Sequence, residues 1–460
     1  MRVFMLGWEF PPFISGGLGT ACYGLTKAMS GTGTDVLFVL PRAVSSPFSS
    51  HVKLIRPQAG SVSSAMTAEF RLAEFENVTF RTIDASLTSP YQTPQDFQQQ
   101  AAAGRQAGVM HADGASAVDP AGLVAGAAIP AALAGGDYAG VNYAGDLFFE
   151  VQRYAALAAE IARTEMYDIV HAHDWMTFAA GLSVAALRGV PLVVHVHSTE
   201  FDRSGSNVNQ KIYDIERRGM HGAIKIIAVS HLTKMAIVNH YGIDPGKIEV
   251  VYNAIETQAP RSEEAAEFHI AGDEKVVLFL GRITLQKGPE YFLAAAKKVL
   301  EVMGNVKFVM AGSGDLTART IEMANELGIG GRVLFTGFLK QDDVTRLFRL
   351  ADLYVMPSVS EPFGIAPLEA MSHDVPVIIS KQSGVSEVLN HVLKVDFWDV
   401  DEMANKIVAV LKHPPLASML REHGAFEVRK LCWDDAARRC LEVYDAAIDT
   451  MKLGTMPTPG

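Results

Sequence analysis

The 460-residue sequence predicts an α/β fold of two doubly wound domains that face each other across a cleft. Three observations predict it. Short apolar runs rich in Val and Ile recur, with helix-length segments between them. The runs are continuous rather than alternating, which suits strands buried on both faces of a parallel sheet. A polar stretch over 256–274 divides the runs into two series.

The first series is "RVFMLGW", "DVLFVLP", "DIVHAH", "PLVVHVH", "IKIIAVS" and "IEVVYNA". The second is "KVVLFLGR", "VKFVMAG", "RVLFTG", "ADLYVMPS" and "PVIIS". Many of these runs end in Gly, His or another polar residue. In open α/β sheets, ligands collect at those carboxyl ends. The divide predicts a first domain over 1–255, a linker over 256–274 and a second domain over 275–432. A C-terminal segment, 433–460, follows. There "WDDAARRCLEVYDAAIDTM" has a helix start at Asp434 or Asp435 and apolar spacing at Leu441, Tyr444 and Ile448. Residues from about 86 to 145 are rich in Ala, Gly and Gln with little hydrophobic period. They read as an insertion, either a lid or a surface loop.

Composition bounds the function. A hydrophobic content of 49% and a charged content of 20% suit a globular chain with real cores. The formal charge of −11, with neither half basic, excludes a general nucleic-acid binder and a polybasic membrane surface. Cys22, Cys432 and Cys440 make an odd count without metal-site spacing or a disulfide framework. The opening "MRVFMLGWEFPP" is too short and too soon acidic for a signal peptide. No run approaches the roughly 20 apolar residues of a membrane span. The expectation is a cytoplasmic protein with no integral membrane segment.

Five motifs carry chemistry. "SGGLGTACYGL" (15–25) follows the first strand and opens a helix, where glycines let a backbone approach a ligand. Gly17-x-Gly19 is followed at the third position by Cys22, so the dinucleotide fingerprint fails, and no phosphate-loop motif exists. Ligand contact and a simple tight turn both fit. "GRITLQKG" (281–288) flanks a turn with two cations, Arg282 and Lys287. They suit a diphosphate leaving group, or a solvated basic turn.

"HAHDWM" (171–176) and "HVHSTEFDR" (195–203) put polar side chains where strands stop. His171 and His173 share a strand face, but no third metal ligand is evident nearby. "WDVDE" (398–402) precedes a helix-like run, so helix N-capping explains Asp399 and Asp401 better than a metal. Last, "EPFGIAPLEAM" (361–371) sets Glu361 and Glu369 eight positions apart. Pro362 and Gly364 keep Glu361 in a loop. Pro367 suits a first helical turn, which places Glu369 just inside a helix. The N–H groups near Gly364, Ile365 and Ala366 would face outward as anion donors. The two acids read as a catalytic pair, as handles for a polar ligand, or as ordinary helix-end charges.

Taken in order, the Gly-rich loop, "HAHDW", "AVS", "GRITLQKG" and the spaced glutamates resemble a retaining GT-B-fold glycosyltransferase. The likeness is to glycosyltransferase family 4 and the neighbouring glycogen and starch synthase family. It covers most of the chain outside the insertion. It implies two Rossmann-like domains, transfer of a hexosyl (glucosyl) group from a UDP- or ADP-sugar to an acceptor hydroxyl, and no cofactor or metal.

By resemblance, Arg282 and Lys287 hold the diphosphate, Glu361 binds sugar hydroxyls, and Glu369 binds the ribose. Backbone at Phe363, Gly364 and Ile365 touches sugar and phosphate. Gly17, Leu18 and Gly19 close over the diphosphate, and His173 sits by the sugar. Gly337 and Phe338 frame the base, His197 and Asp202 lie on the acceptor side, and the last helix crosses back to the first domain. Two departures stand out. Ser15 occupies the place of a lysine in glycogen-type synthases. Ala254 and Glu256 replace a usual Gly and Asp. The first weakens a glucan-synthase assignment and leaves the transferase assignment intact. The competing expectations are a nucleotide-sugar epimerase of the same fold and a non-catalytic nucleotide-sugar binder.

Overall fold

The computed structural model describes residues 1–11, 17–43, 53–55, 67–71, 75–85, 147–256, 274–339 and 341–455. The insertion expected at 86–145 and the linker interior, 257–273, lie outside the described residues.

The first sheet holds β1 (Arg2–Leu6), β2 (Asp35–Ala43), β3 (Lys53–Ile55), β4 (Thr67–Arg71), β5 (Val78–Ala85), β6 (Ile169–His173), β7 (Leu192–Val196), β8 (Lys225–Ala228) and β9 (Ile248–Val250). Their order is β3-β4-β5-β2-β1-β6-β7-β8-β9. β4 runs antiparallel to β3 and β5, and every other pair is parallel. The second sheet holds β10 (Lys275–Leu280), β11 (Val306–Ala311), β12 (Val333–Gly337), β13 (Leu353–Met356), β14 (Val377–Ser380) and β15 (Leu393–Val395). It is parallel throughout, in the order β12-β11-β10-β13-β14-β15.

Each apolar run named above contains a strand. The runs are continuous because helices cover both faces of each sheet. Val3, Phe4, Met5 and Leu6 of β1 are all fully buried, with alternate residues entering two different cores. Strands β3, β4, β5 and β15 were not expected. In β5 the apolar residues are interleaved with Thr and Arg, so the run is broken, yet Val78, Phe80 and Ile83 are buried beside β2.

The strand order reverses at the centre of each sheet. β1 lies between β2 and β6, and β10 lies between β11 and β13. These are the switch points where carboxyl-end loops splay apart and leave a crevice. The last helix, Trp433–Thr455, follows the second sheet in sequence but packs on the first. Trp433, Ala437, Cys440, Tyr444 and Ala447 are buried in the same core as Cys22, Leu25 and Met29 of the helix Gly17–Gly31. The helix starts at Trp433, one or two residues before the predicted Asp434 or Asp435.

Candidate functional site

At the carboxyl end of β10 the chain turns through Gly281 and Arg282 into a short 3-10 turn, Leu285–Lys287. At the end of β13, the neighbouring strand, it runs through Ser358 to Glu361. Adjacency of the two strands brings the two motifs together. Lys287 Nζ donates to Glu361 Oε2 at 2.5 Å, and Ser358 Oγ donates to the same oxygen at 3.1 Å. Glu361 is only 6% exposed, so its charge is held by a cation and a hydroxyl rather than by water.

The chain then makes the Pro362–Phe363–Gly364 turn. Gly364 has φ 102°, which a side chain would resist. The short helix Ala366–Ser372 follows, with Pro367 in its first turn, as expected. Among the described residues, no backbone acceptor takes the N–H groups of Gly364, Ile365 or Ala366. Burial pushes the Glu369 carboxyl up to about 7. The Tyr354 hydroxyl is raised by burial first, then by the Glu361 and Glu369 charges, so both carboxylates lie within electrostatic reach of the same tyrosine. Gly337 ends β12 at the same sheet edge with φ 69°, and Phe338 beside it is 72% exposed.

The first sheet contributes the opposing wall. Gly17, Leu18 and Gly19 form the first turn of the helix Gly17–Gly31. Glu9, beyond the end of β1, is buried. Its carboxyl is raised by that burial and pulled back by the Arg282 charge and the Gly19 N–H. Glu9 therefore stands within electrostatic reach of Arg282 from the other unit. Sequence reasoning missed Glu9 and Ser358. The available signal was a polar residue in the loop right after an apolar run.

His171 and His173 on β6 lie beside His195 and His197 at the end of β7. The parallel register pairs His173 with His195. His173 Nδ1 lies 2.9 Å from His197 Nε2, and His171 Nδ1 lies 2.5 Å from the Tyr444 hydroxyl on the last helix. Burial drives His171 and His197 down to about 3, and it drives His173 and His195 well below the usual imidazole range. Burial thus favours the neutral form of all four rings. The absence of a third ligand near His171 and His173, read from sequence, needs correction. His195 comes from the next strand, and ligand atoms of the three lie within 4.8 Å of one another. Sequence separation hid it. The His171 and His195 rings are stacked at 9° with centroids 5.3 Å apart.

Asp174 follows at φ 58°, a strained value for a residue with a side chain. Its Oδ1 accepts the His197 N–H at 2.7 Å, which ties β6 to β7. Burial raises its carboxyl to about 7, while Arg203 and backbone N–H groups oppose the shift. Asp202 caps its own short helix through Thr199, and its Oδ1 accepts from Ser360 Oγ of the second unit at 2.6 Å. At "WDVDE", Asp399 accepts the Glu402 N–H at 2.9 Å as an N-cap, as expected, whereas Asp401, also expected to cap, lies inside the helix and pairs with Lys298.

Two largely parallel sheets that meet at their carboxyl edges, with two cations and two glutamates where they meet, define the GT-B glycosyltransferase class. Comparison with known proteins agrees. The family model for glycosyl transferases group 1 matches residues 260–425, that for glycosyltransferase family 4 matches 140–259, and that for the starch synthase catalytic domain matches 2–113. An uncharacterised glycosyltransferase of Methanocaldococcus jannaschii is 34% identical over 63% of this chain and 78% of its own. The chain belongs to the group 1, family 4 glycosyltransferases and is an enzyme of that class. Among solved structures, the sucrose-phosphate synthase of Thermosynechococcus elongatus superposes with TM-score 0.67 at 18% identity, over 98% of this chain and 99% of that one. HepE of Anabaena, solved with UDP-glucose, gives 0.62 at 16% identity, over 97% and 100%.

Proposed function

We propose that the protein is a retaining glycosyltransferase that moves a glucosyl group from UDP- or ADP-glucose to an acceptor hydroxyl. The observation that carries this reading is the meeting of Lys287 with Glu361 beside Arg282 at the second sheet's switch point. A nucleotide sugar carries a diphosphate next to a polyol. One cation on a buried carboxylate, with a second cation in the same turn, matches those two groups in sequence. The bound UDP-glucose of the similar HepE structure supports the donor class.

In this reading Arg282 and Lys287 hold the diphosphate, and Lys287 shifts from Glu361 toward it when donor arrives. Glu361 accepts from sugar hydroxyls. Backbone N–H groups at Phe363, Gly364 and Ile365 face the phosphates, and Glu369 accepts from the ribose. Gly337 and Phe338 border the base. Gly17, Leu18 and Gly19 cover the diphosphate from the other wall. His173, its ring fixed by His197, donates or accepts at the sugar, and the acceptor approaches past His197 and Asp202.

The bond between the anomeric carbon and the phosphate oxygen breaks, and its electron pair leaves on the diphosphate. The acceptor oxygen attacks on the same face and its proton passes to the departing phosphate. Fixed cations stabilise that developing charge, so the scheme needs no metal. The reaction is assigned to the cytoplasm. No described helix is long and apolar enough to cross a membrane.

The test is a panel of nucleotide sugars scored for thermal stabilisation, followed by transfer assays with the best donor and NMR of the product anomer. Stabilisation by a glucosyl donor and an unchanged anomeric configuration are expected. Failure of every nucleotide sugar to bind would undo the reading. Isomerisation of the donor without transfer would indicate an epimerase, and binding without turnover a silent binder.

A further inference from the structure

We infer that the first unit clamps the Glu361 turn from both sides, making Ser360, Ser230 and Thr233 positioning residues for the sugar-binding carboxylate. This inference rests on the donor reading above.

The residues on either side of Glu361 both hydrogen-bond across to the first unit. On one side, Ser360 Oγ donates to Asp202 Oδ1 at 2.6 Å. Asp202 is itself immobilised, because its Oδ2 accepts from both the backbone N–H and the hydroxyl of Thr199 at 2.7 Å. On the other side, the Pro362 carbonyl accepts from Ser230 Oγ at 2.6 Å and from Thr233 Oγ1 at 3.4 Å. Ser230 is fully buried and caps the helix His231–Tyr241 by accepting the Thr233 N–H. The second unit answers at the same helix end. Glu387 accepts the N–H groups of His231 and Leu232 at 2.9 and 2.8 Å, and the Tyr252 hydroxyl at 3.0 Å.

The fit leaves no slack. A Cβ on Gly384 would lie 2.2 Å from the Pro362 carbonyl oxygen and 2.5 Å from the Ser230 Cβ. Gly384 also donates its N–H to the Glu361 carbonyl at 2.9 Å. The Glu361 turn is therefore pressed between the Gln382–Val385 loop behind it and the first unit in front.

The two ends of the donor are treated differently. Glu369 and the cationic turn lie in the second unit and make none of the Ser360, Ser230 or Thr233 hydrogen bonds, so a nucleotide diphosphate can be recognised without the clamp. The hexose is read by Glu361, whose backbone is held by Gln382 and Gly384 within the second unit and whose flanking residues Ser360 and Pro362 gain their outer bonds only when the units are docked. Sugar recognition thus reports closure, which keeps the reactive donor from being committed before water is excluded.

The test uses the full chain and calorimetric titration with UDP and UDP-glucose, and with ADP and ADP-glucose. Ser360→Ala and Gly384→Ala are compared with wild type. Ser360→Thr, which retains the hydroxyl, is the rescue. Ser230→Ala also removes a helix cap, so it is read only beside its thermal midpoint. Each alanine variant should bind the nucleotide sugar about threefold to tenfold more weakly, the scale of one net hydrogen bond. Its affinity for the nucleotide diphosphate should stay within about twofold, and Ser360→Thr should recover most of the loss. Equal losses for both ligands, or none in either alanine variant, would overturn the clamp. Wild-type protein that binds no nucleotide sugar would instead overturn the donor reading, and the clamp with it.

Discussion

Lys287 and Glu361 lie 74 positions apart in the chain, yet their side chains meet at 2.5 Å. The ammonium has 22% of its side-chain surface exposed and the carboxylate 8%. One partner is thus a reservoir of charge for an incoming anion, and the other a carboxylate that needs a donor at all times. Lys287→Ala should cut kcat by about two orders of magnitude or more, as loss of an oxyanion-type donor does. It should also destabilise the fold by about 1–3 kcal/mol, because among the described residues Glu361 would keep only Ser358 as a side-chain donor. Steady-state transfer and urea unfolding measure the two effects. Wild-type turnover in the variant would sink the assigned role.

Arg282→Ala should lower kcat on a similar scale, about a hundredfold, because the proposed reading sets its charge on the same leaving group. Glu9 should respond as well. Arg282 opposes the effect of burial on that carboxyl, so its removal should raise the Glu9 pKa further. Carboxylate NMR titration of the variant would show the rise, and an unmoved Glu9 resonance would place the two groups out of reach.

Glu369 ties stability to pH in a defined direction. Its folded pKa of about 7 lies above the ordinary 4.5, so the folded state holds a proton that the unfolded chain has released between those values. Stability from this group is greatest below about pH 4.5 and falls as pH rises to about 7. Glu369→Gln should therefore raise the thermal midpoint at pH 8 and change it little at pH 4.5. It should also weaken nucleotide binding about tenfold through loss of a charged acceptor. An equal gain at both pH values would show that charge burial is not the cause.

Asp174 combines positive φ with a buried hydrogen bond to the His197 N–H. Asp174→Asn keeps the acceptor oxygen and should be tolerated. Asp174→Gly loses the bond but relaxes the backbone. Asp174→Ala loses the bond and keeps the strain, so it should be about 1 kcal/mol less stable than the glycine variant. Chemical denaturation of the three would reverse this order only if the backbone were unstrained.

Tyr444→Phe would leave His171 Nδ1 buried without its partner. The expected cost is about 1–3 kcal/mol in urea unfolding. An unchanged midpoint would mean that the last helix is held by its apolar face alone.

Much of this protein was legible in the sequence, because the signals concerned are local. Continuous Val- and Ile-rich runs marked the central strands, since a strand covered by helices on both faces has no polar side to interrupt it. Pro367 and Asp399 announced helix starts by the chemistry of their own backbone neighbours. The ordered motifs announced the family.

Tertiary structure decided what those motifs do to one another. Strand β13 lies next to β10, and only that adjacency sets Glu361 on Lys287. The parallel register of β6 and β7 places His195 and His197 against His173, so the third imidazole invisible in "HAHDWM" comes from the neighbouring strand. Glu9 comes within electrostatic reach of Arg282, and Ser230 meets Pro362, only because two separately folded sheets dock at their carboxyl edges. Local sequence fixes which residues can carry charge or turn the chain. Long-range register and docking fix which of them share a low-dielectric space, and that sharing sets the pairing, the pKa values and the chemistry.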